Sequence, residues 1–103
     1  MTDPMRIRAL EQNGTTEVKV LMAHVMETGL RKDANGKTIP AHFIQNVVVR
    51  HKDRVVLDAQ FGPSVAQNPF IAFKFKGGAK GDKIVVSWVD SKGERRTDEA
   101  LIA

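Results

Sequence analysis

The residues able to do chemistry gather in one stretch, Leu21 to Gln45, which holds two of the chain's three histidines, His24 and His42, with Glu27 three positions after the first. If the polar segment between them folded back, His24, Glu27 and His42 would form a His-Glu-His set of the kind that binds zinc. The spacing is poor for that purpose, because metal-binding histidines ordinarily stand at tight-turn or helical separations with hydrogen bonds behind them. His24 ends an apolar run and reads better as a hydrogen-bonding residue that fixes the loop. No metal is assigned to the chain.

Other reactive groups offer less. Absence of cysteine removes disulfides, thiolate catalysis and cysteine-based zinc sites together. Ser64, Ser87 and Ser91 lack both a G-x-S-x-G setting and an adjacent base. Asp58, Asp82, Asp90, Asp98 and Glu99 are scattered near turns, where carboxylates serve solubility and local hydrogen bonds. The run Lys76-Gly-Gly-Ala-Lys-Gly-Asp-Lys83 has the wrong spacing for a phosphate loop and precedes a β-branched strand instead of a helix. The expectation is a protein that is not an enzyme, with no catalytic residue and no cofactor.

The elements that would position these residues repeat with period two. Strands are predicted at Arg6–Leu10 and Thr16–Met22 around the hairpin dipeptide Asn13-Gly14. A third runs through AHFIQNVVVRH with Phe43, Val47 and Val49 on one side, and RVVLDAQF makes a fourth after Lys52-Asp53. In FIAFKFK, Ile71, Phe73 and Phe75 point one way while Ala72, Lys74 and Lys76 point the other. KIVVSWVD puts Ile84, Val86 and Trp88 on one face, and ERRTD makes a short last strand. With no amphipathic helix, the pattern is all-β: an Ig-like antiparallel β-sandwich of about seven strands, residues 1–103 forming one domain.

A net charge of +4 invites a nucleic-acid partner, and Arg50, Lys52 and Arg54 cluster at one hairpin while Lys74, Lys76, Lys80 and Lys83 gather near another. Single-strand binding also needs aromatics beside the cations, and alternation sends Phe73 and Phe75 to the opposite face. A basic nucleic-acid-binding or other interaction module stays as the alternative reading. The segment MTDPMRIRALEQNG turns charged within a few residues, so no signal peptide is read there, and no run reaches the about 18–20 apolar residues that cross a bilayer. Taken alone, that reads as cytoplasmic.

The connection from Met26 to Pro40 exceeds the about 2–5 residues of an ordinary hairpin loop. It mixes apolar Met26 and Leu30 with Glu27, Arg31 and Lys32, a combination suited to a protein interface. Expected partner contacts are Met26, Glu27, Leu30 and Arg31, with His24 and His42 organising the loop.

Three segments resemble the SoxZ family: His24–Asp33 (H-x-M-E-T-G-x-R-x-D), Ile39–Ile44 (I-P-A-H-F-I) and Phe75–Asp82 (F-K-G-G-x-x-G-D). The resemblance covers nearly the whole chain, with Val25 where the family commonly has proline. It implies an Ig-like sandwich that pairs with SoxY as a heterodimer. SoxY's cysteine, on a Gly-rich C-terminal arm, carries sulfur intermediates between Sox enzymes in thiosulfate oxidation. It further implies transient contacts with those enzymes, periplasmic location by co-export on SoxY's signal, and a homodimer as one state open to the isolated chain.

Overall fold

Among the described residues seven strands form in the order expected: β1 (Arg6–Gln12), β2 (Thr15–Leu21), β3 (Ile44–His51), β4 (Arg54–Gln60), β5 (Phe70–Lys76), β6 (Lys83–Asp90) and β7 (Arg95–Leu101). The structure is a computed structural model and describes residues 2–103. All pairings are antiparallel, in a three-stranded sheet β1-β2-β5 and a four-stranded sheet β4-β3-β6-β7. Crossovers from β2 to β3, from β4 to β5 and from β5 to β6 carry the chain between the sheets. This is the expected all-β sandwich.

Alternation determines which side chains fill the space between the sheets. Val18, Val20 and Met22 from the β2 side meet Ile44, Val47 and Val49 of β3 and Ile84, Val86 and Trp88 of β6. Phe75 is buried, and Ile71 and Phe73 pack partly buried beside it, while Lys74 and Lys76 face solvent. Asn13 and Gly14 both take positive φ, 55° and 81°, matching the right-handed twist of the strands they join.

Several expected boundaries move: β1 runs on to Gln12 and β2 spans Thr15–Leu21. β3 begins at Ile44, which pairs with Asp90, and a register shift follows before Asn46 pairs with Val89. That bulge puts Ile44 in the core, with Phe43 only partly buried beside it. The last strand is longer than ERRTD: it runs to Leu101, which pairs with Lys83. Beyond it Ile102 is buried, and Ala103 exchanges backbone hydrogen bonds with Ala9 and Glu11, covering part of the β1 edge.

Candidate functional site

Inward alternation does not stop where β2 ends. Met22, His24 and Met26 are all buried, continuing the series of Val18 and Val20 into the connection. The backbone of His24 is tied to the segment before β5, its N–H donating to Asn68 Oδ1 at 3.0 Å and its carbonyl accepting from Asn68 N–H at 2.9 Å. At Met26 the chain turns with φ of 50°, a left-handed conformation costly for a side chain of this size. Two contacts hold it there: Met26 N–H donates to His24 Nδ1 at 3.1 Å, and Met26 Sδ accepts from Ile44 N–H at 3.3 Å.

The long connection is a paired ribbon. Glu27 and His42 bond backbone to backbone at 2.7 and 3.0 Å, and further out Ile39 N–H donates to the Arg31 carbonyl at 2.7 Å. Asp33 Oδ1 accepts from the N–H groups of Asn35 and Lys37, closing the tip. Gly29 is needed for this pairing: its φ is 86°, and a Cβ there would sit 3.1 Å from the Ala41 side chain.

Beneath the ribbon lies Asp90, the last residue of β6 and only 2% exposed. Its Oδ2 accepts from His24 Nε2 at 3.0 Å and His42 Nε2 at 2.7 Å. Its Oδ1 accepts from the N–H groups of Lys92 at 3.0 Å and Glu94 at 2.9 Å, in the turn to β7. Both oxygens are therefore satisfied, as a buried carboxylate must be. Burial pushes the Asp90 carboxyl up, but hydrogen bonds from His24, His42 and the Glu94 and Lys92 amides together hold it below the usual carboxylate range. The imidazoles stack edge to face 4.6 Å apart, and His24 meets Trp88 in the same way at 5.2 Å. A cleft of about 300 Å³ opens over the cluster, bordered by His24, His42, Asn68 and Glu94.

Donor atoms of His24, His42 and Asp90 all lie within 4.8 Å of one another, a set that in other surroundings would hold a divalent metal. Here the hydrogen bonds decide otherwise. Because His24 Nδ1 accepts from the Met26 amide, its ring proton sits on Nε2, and that atom donates to Asp90 with no lone pair left for a metal. Ser91 Oγ accepts from Phe43 N–H, and both histidines spend Nε2 on Asp90, so no hydroxyl-histidine relay forms. The arrangement is a clamp that joins the root of the ribbon to the end of β6.

Each expected contact residue has a definite place. Leu30 at 85% exposed is the most solvent-facing large apolar side chain among the described residues, its N–H held by Thr28 Oγ1 at 3.0 Å. Arg31 is exposed and forms an ion pair with Glu27, and the hydrogen bond from Arg31 is the main cause that lowers the Glu27 carboxyl. Glu27 is therefore not the third member of a histidine cluster. Met26 is only 5% exposed, so its side chain has no surface to offer a partner in this conformation and acts from beneath. His24 is buried and His42 half-buried, each bonded through Nε2 to Asp90.

Sequence reasoning missed Asp90, which it grouped with turn carboxylates. A signal was present: Asp90 continues the inward series Ile84, Val86, Trp88 and is the one charged member of it. The third histidine forms a similar pair at another point of the sandwich, His51 Nε2 bonding Asp82 Oδ2 at 2.8 Å over the Phe75 ring.

The family model described as "Sulphur oxidation protein SoxZ" matches residues 5–101. No curated protein matches the chain. Among solved structures, a superoxide reductase in the oxidised state is similar with a TM-score of 0.64 and 15% identity, over 96% of this chain and 86% of that one. The E12Q superoxide reductase (neelaredoxin) of Archaeoglobus fulgidus gives 0.60 and 21%, over 99% and 90%. That of Ignicoccus hospitalis gives 0.59 and 15%, over 98% and 80%. At such identities the likeness is one of fold alone.

Proposed function

Because the chain belongs to the SoxZ family of sulphur oxidation proteins, we propose that it is the non-catalytic subunit of a SoxYZ carrier. It pairs with SoxY, whose terminal cysteine bears the sulfur intermediates while Sox enzymes act on them in turn. The observation that carries this reading is the family match over residues 5–101 in a chain without cysteine, in which the His24–His42–Asp90 cluster holds a loop.

Transport by a swinging arm asks two things of the supporting subunit: a stable seat for SoxY and surfaces that visiting enzymes touch and release. The clamped ribbon suits recognition. It presents Leu30 and Arg31 on a backbone held by Gly29, Met26 and the Asp90 cluster, so little conformational entropy is lost when a partner binds. Localisation in the periplasm by co-export with SoxY belongs to the same reading.

The test is reconstituted thiosulfate oxidation with SoxY and the double variant Leu30→Ala/Arg31→Ala. Both residues are exposed, so the fold stays intact by circular dichroism while assembly with SoxY or sulfur flux falls. Unchanged assembly together with unchanged flux would remove the ribbon from the proposed interface.

A further inference from the structure

The exposed faces of the two sheets differ in a way the clamp and ribbon do not explain. Strand register places twelve outward side chains of β1, β2 and β5 in four rows: Arg6-Leu21-Phe70, Arg8-Lys19-Ala72, Leu10-Glu17-Lys74 and Gln12-Thr15-Lys76. Arg6, Arg8, Lys19, Lys74 and Lys76 stand against Glu17 alone, an excess of four positive charges on one face, equal to the net charge of the whole chain. Glu17 lies 3.8 Å from Lys19. Arg6, Arg8, Lys74 and Lys76 have no acidic partner among the described residues.

The outward face of β4-β3-β6-β7 is different. Val48, Val85 and Val89 run through it with Ser87 and Thr97, whose hydroxyls bond at 3.0 Å, and Lys83 pairs with Glu99 at 3.5 Å; Arg50, Lys83 and Arg95 stand there against Asp58 and Glu99, an excess of only one positive charge. Segregation of charge on this scale sets up a directional field, which a uniform scatter of solubilising lysines would not. The basic face also carries apolar anchors. Phe70 is 59% exposed beside Leu21, and Leu10 borders a shallow groove of about 460 Å³ that reaches Leu101 at the β1 edge.

We propose that the outer face of β1-β2-β5 is the docking surface for acidic protein surfaces, those of the enzymes that visit the carrier. This rests on the carrier reading above. Charge complementarity names the occupant: like charges exclude a second copy of the same face, whereas an acidic patch gains from each unpaired cation. A short-lived contact of this kind speeds arrival through long-range attraction while the apolar anchors stay few, so release stays fast. The face is also separate from the ribbon tip, so one subunit can serve a permanent and a passing partner.

The experiment uses the co-expressed heterodimer with SoxY and, as probe, a purified Sox enzyme of acidic isoelectric point from the same organism. Heterodimer formation is scored first by native mass spectrometry, and association rates are then followed by stopped flow across ionic strength. The double variant Arg8→Glu/Lys74→Glu should assemble with SoxY as the wild type does, lose on the order of tenfold in association rate at low salt, and show a flattened salt dependence. Glu17→Lys should change the rate in the opposite direction. An association rate that ignores both variants and salt would overturn the proposal. So would loss of the heterodimer in Arg8→Glu/Lys74→Glu, which would make this face the SoxY seat, or retained binding of a single-stranded oligonucleotide at physiological salt, which would make the partner a nucleic acid. If the wild-type chain forms no heterodimer, the carrier reading fails and takes this proposal with it.

Discussion

Replacing Asp90 by asparagine removes one acceptor oxygen and the negative charge while keeping the size of the side chain. Four donors converge on this carboxylate: two imidazole N–H groups on Oδ2 and two turn amides on Oδ1. An asparagine can offer its carbonyl to only one of those pairs, and its NH2 then faces the other two donors. Each buried donor left without an acceptor costs about 1–3 kcal/mol, and breaking a buried charged network costs about 3–5 kcal/mol. For a domain of this size that loss corresponds to a fall in Tm on the order of 15–25 °C. Thermal and urea unfolding at neutral pH, followed by circular dichroism, measure it directly.

The pH dependence supplies a second readout. Because the folded-state pKa of Asp90 lies below its unfolded value, its contribution is complete above the ordinary carboxylate range and is lost as pH falls through the lower folded value. The gap between wild type and Asp90→Asn should therefore be full at neutral pH and close in acid. A gap below about 1 kcal/mol at neutral pH, or one that grows on acidification, would refute the clamp.

Met26→Ala should cost about 2–5 kcal/mol in urea unfolding, since it empties a core position, and a cost under about 0.5 kcal/mol would mean the side chain is not packed as described. Gly29→Ala should lose about 1–3 kcal/mol, because it forces a Cβ into positive φ and against Ala41. Leu30→Ala, at an exposed tip, should move the unfolding midpoint by no more than about 0.5 kcal/mol while weakening assembly with SoxY. A stability loss as large as that of Met26→Ala would show that Leu30 packs in solution.

Much of the fold is legible in local pattern. Alternation in FIAFKFK and KIVVSWVD states which side chains meet in the core, and Asn13-Gly14 states where the first hairpin turns. The site is less legible because its energy comes from contacts distant in sequence. Asp90 lies 66 residues from His24 and 48 from His42, so no spacing rule joins them. The inward alternation that buries Trp88 could have singled out Asp90 as a carboxylate requiring partners. Met26 is harder: its composition suits a surface contact, and the inward series Met22, His24, Met26 that buries it runs past the end of β2 into the connection. Pairing of the ribbon's legs depends on the Gly29–Ala41 approach, which no hydrophobic period announces.

Native mass spectrometry of this chain, alone and after co-expression with SoxY from the same organism, tests the central claim most directly. The account predicts a one-to-one heterodimer that persists at low micromolar concentration. A folded SoxY that stays separate from this folded chain would contradict it.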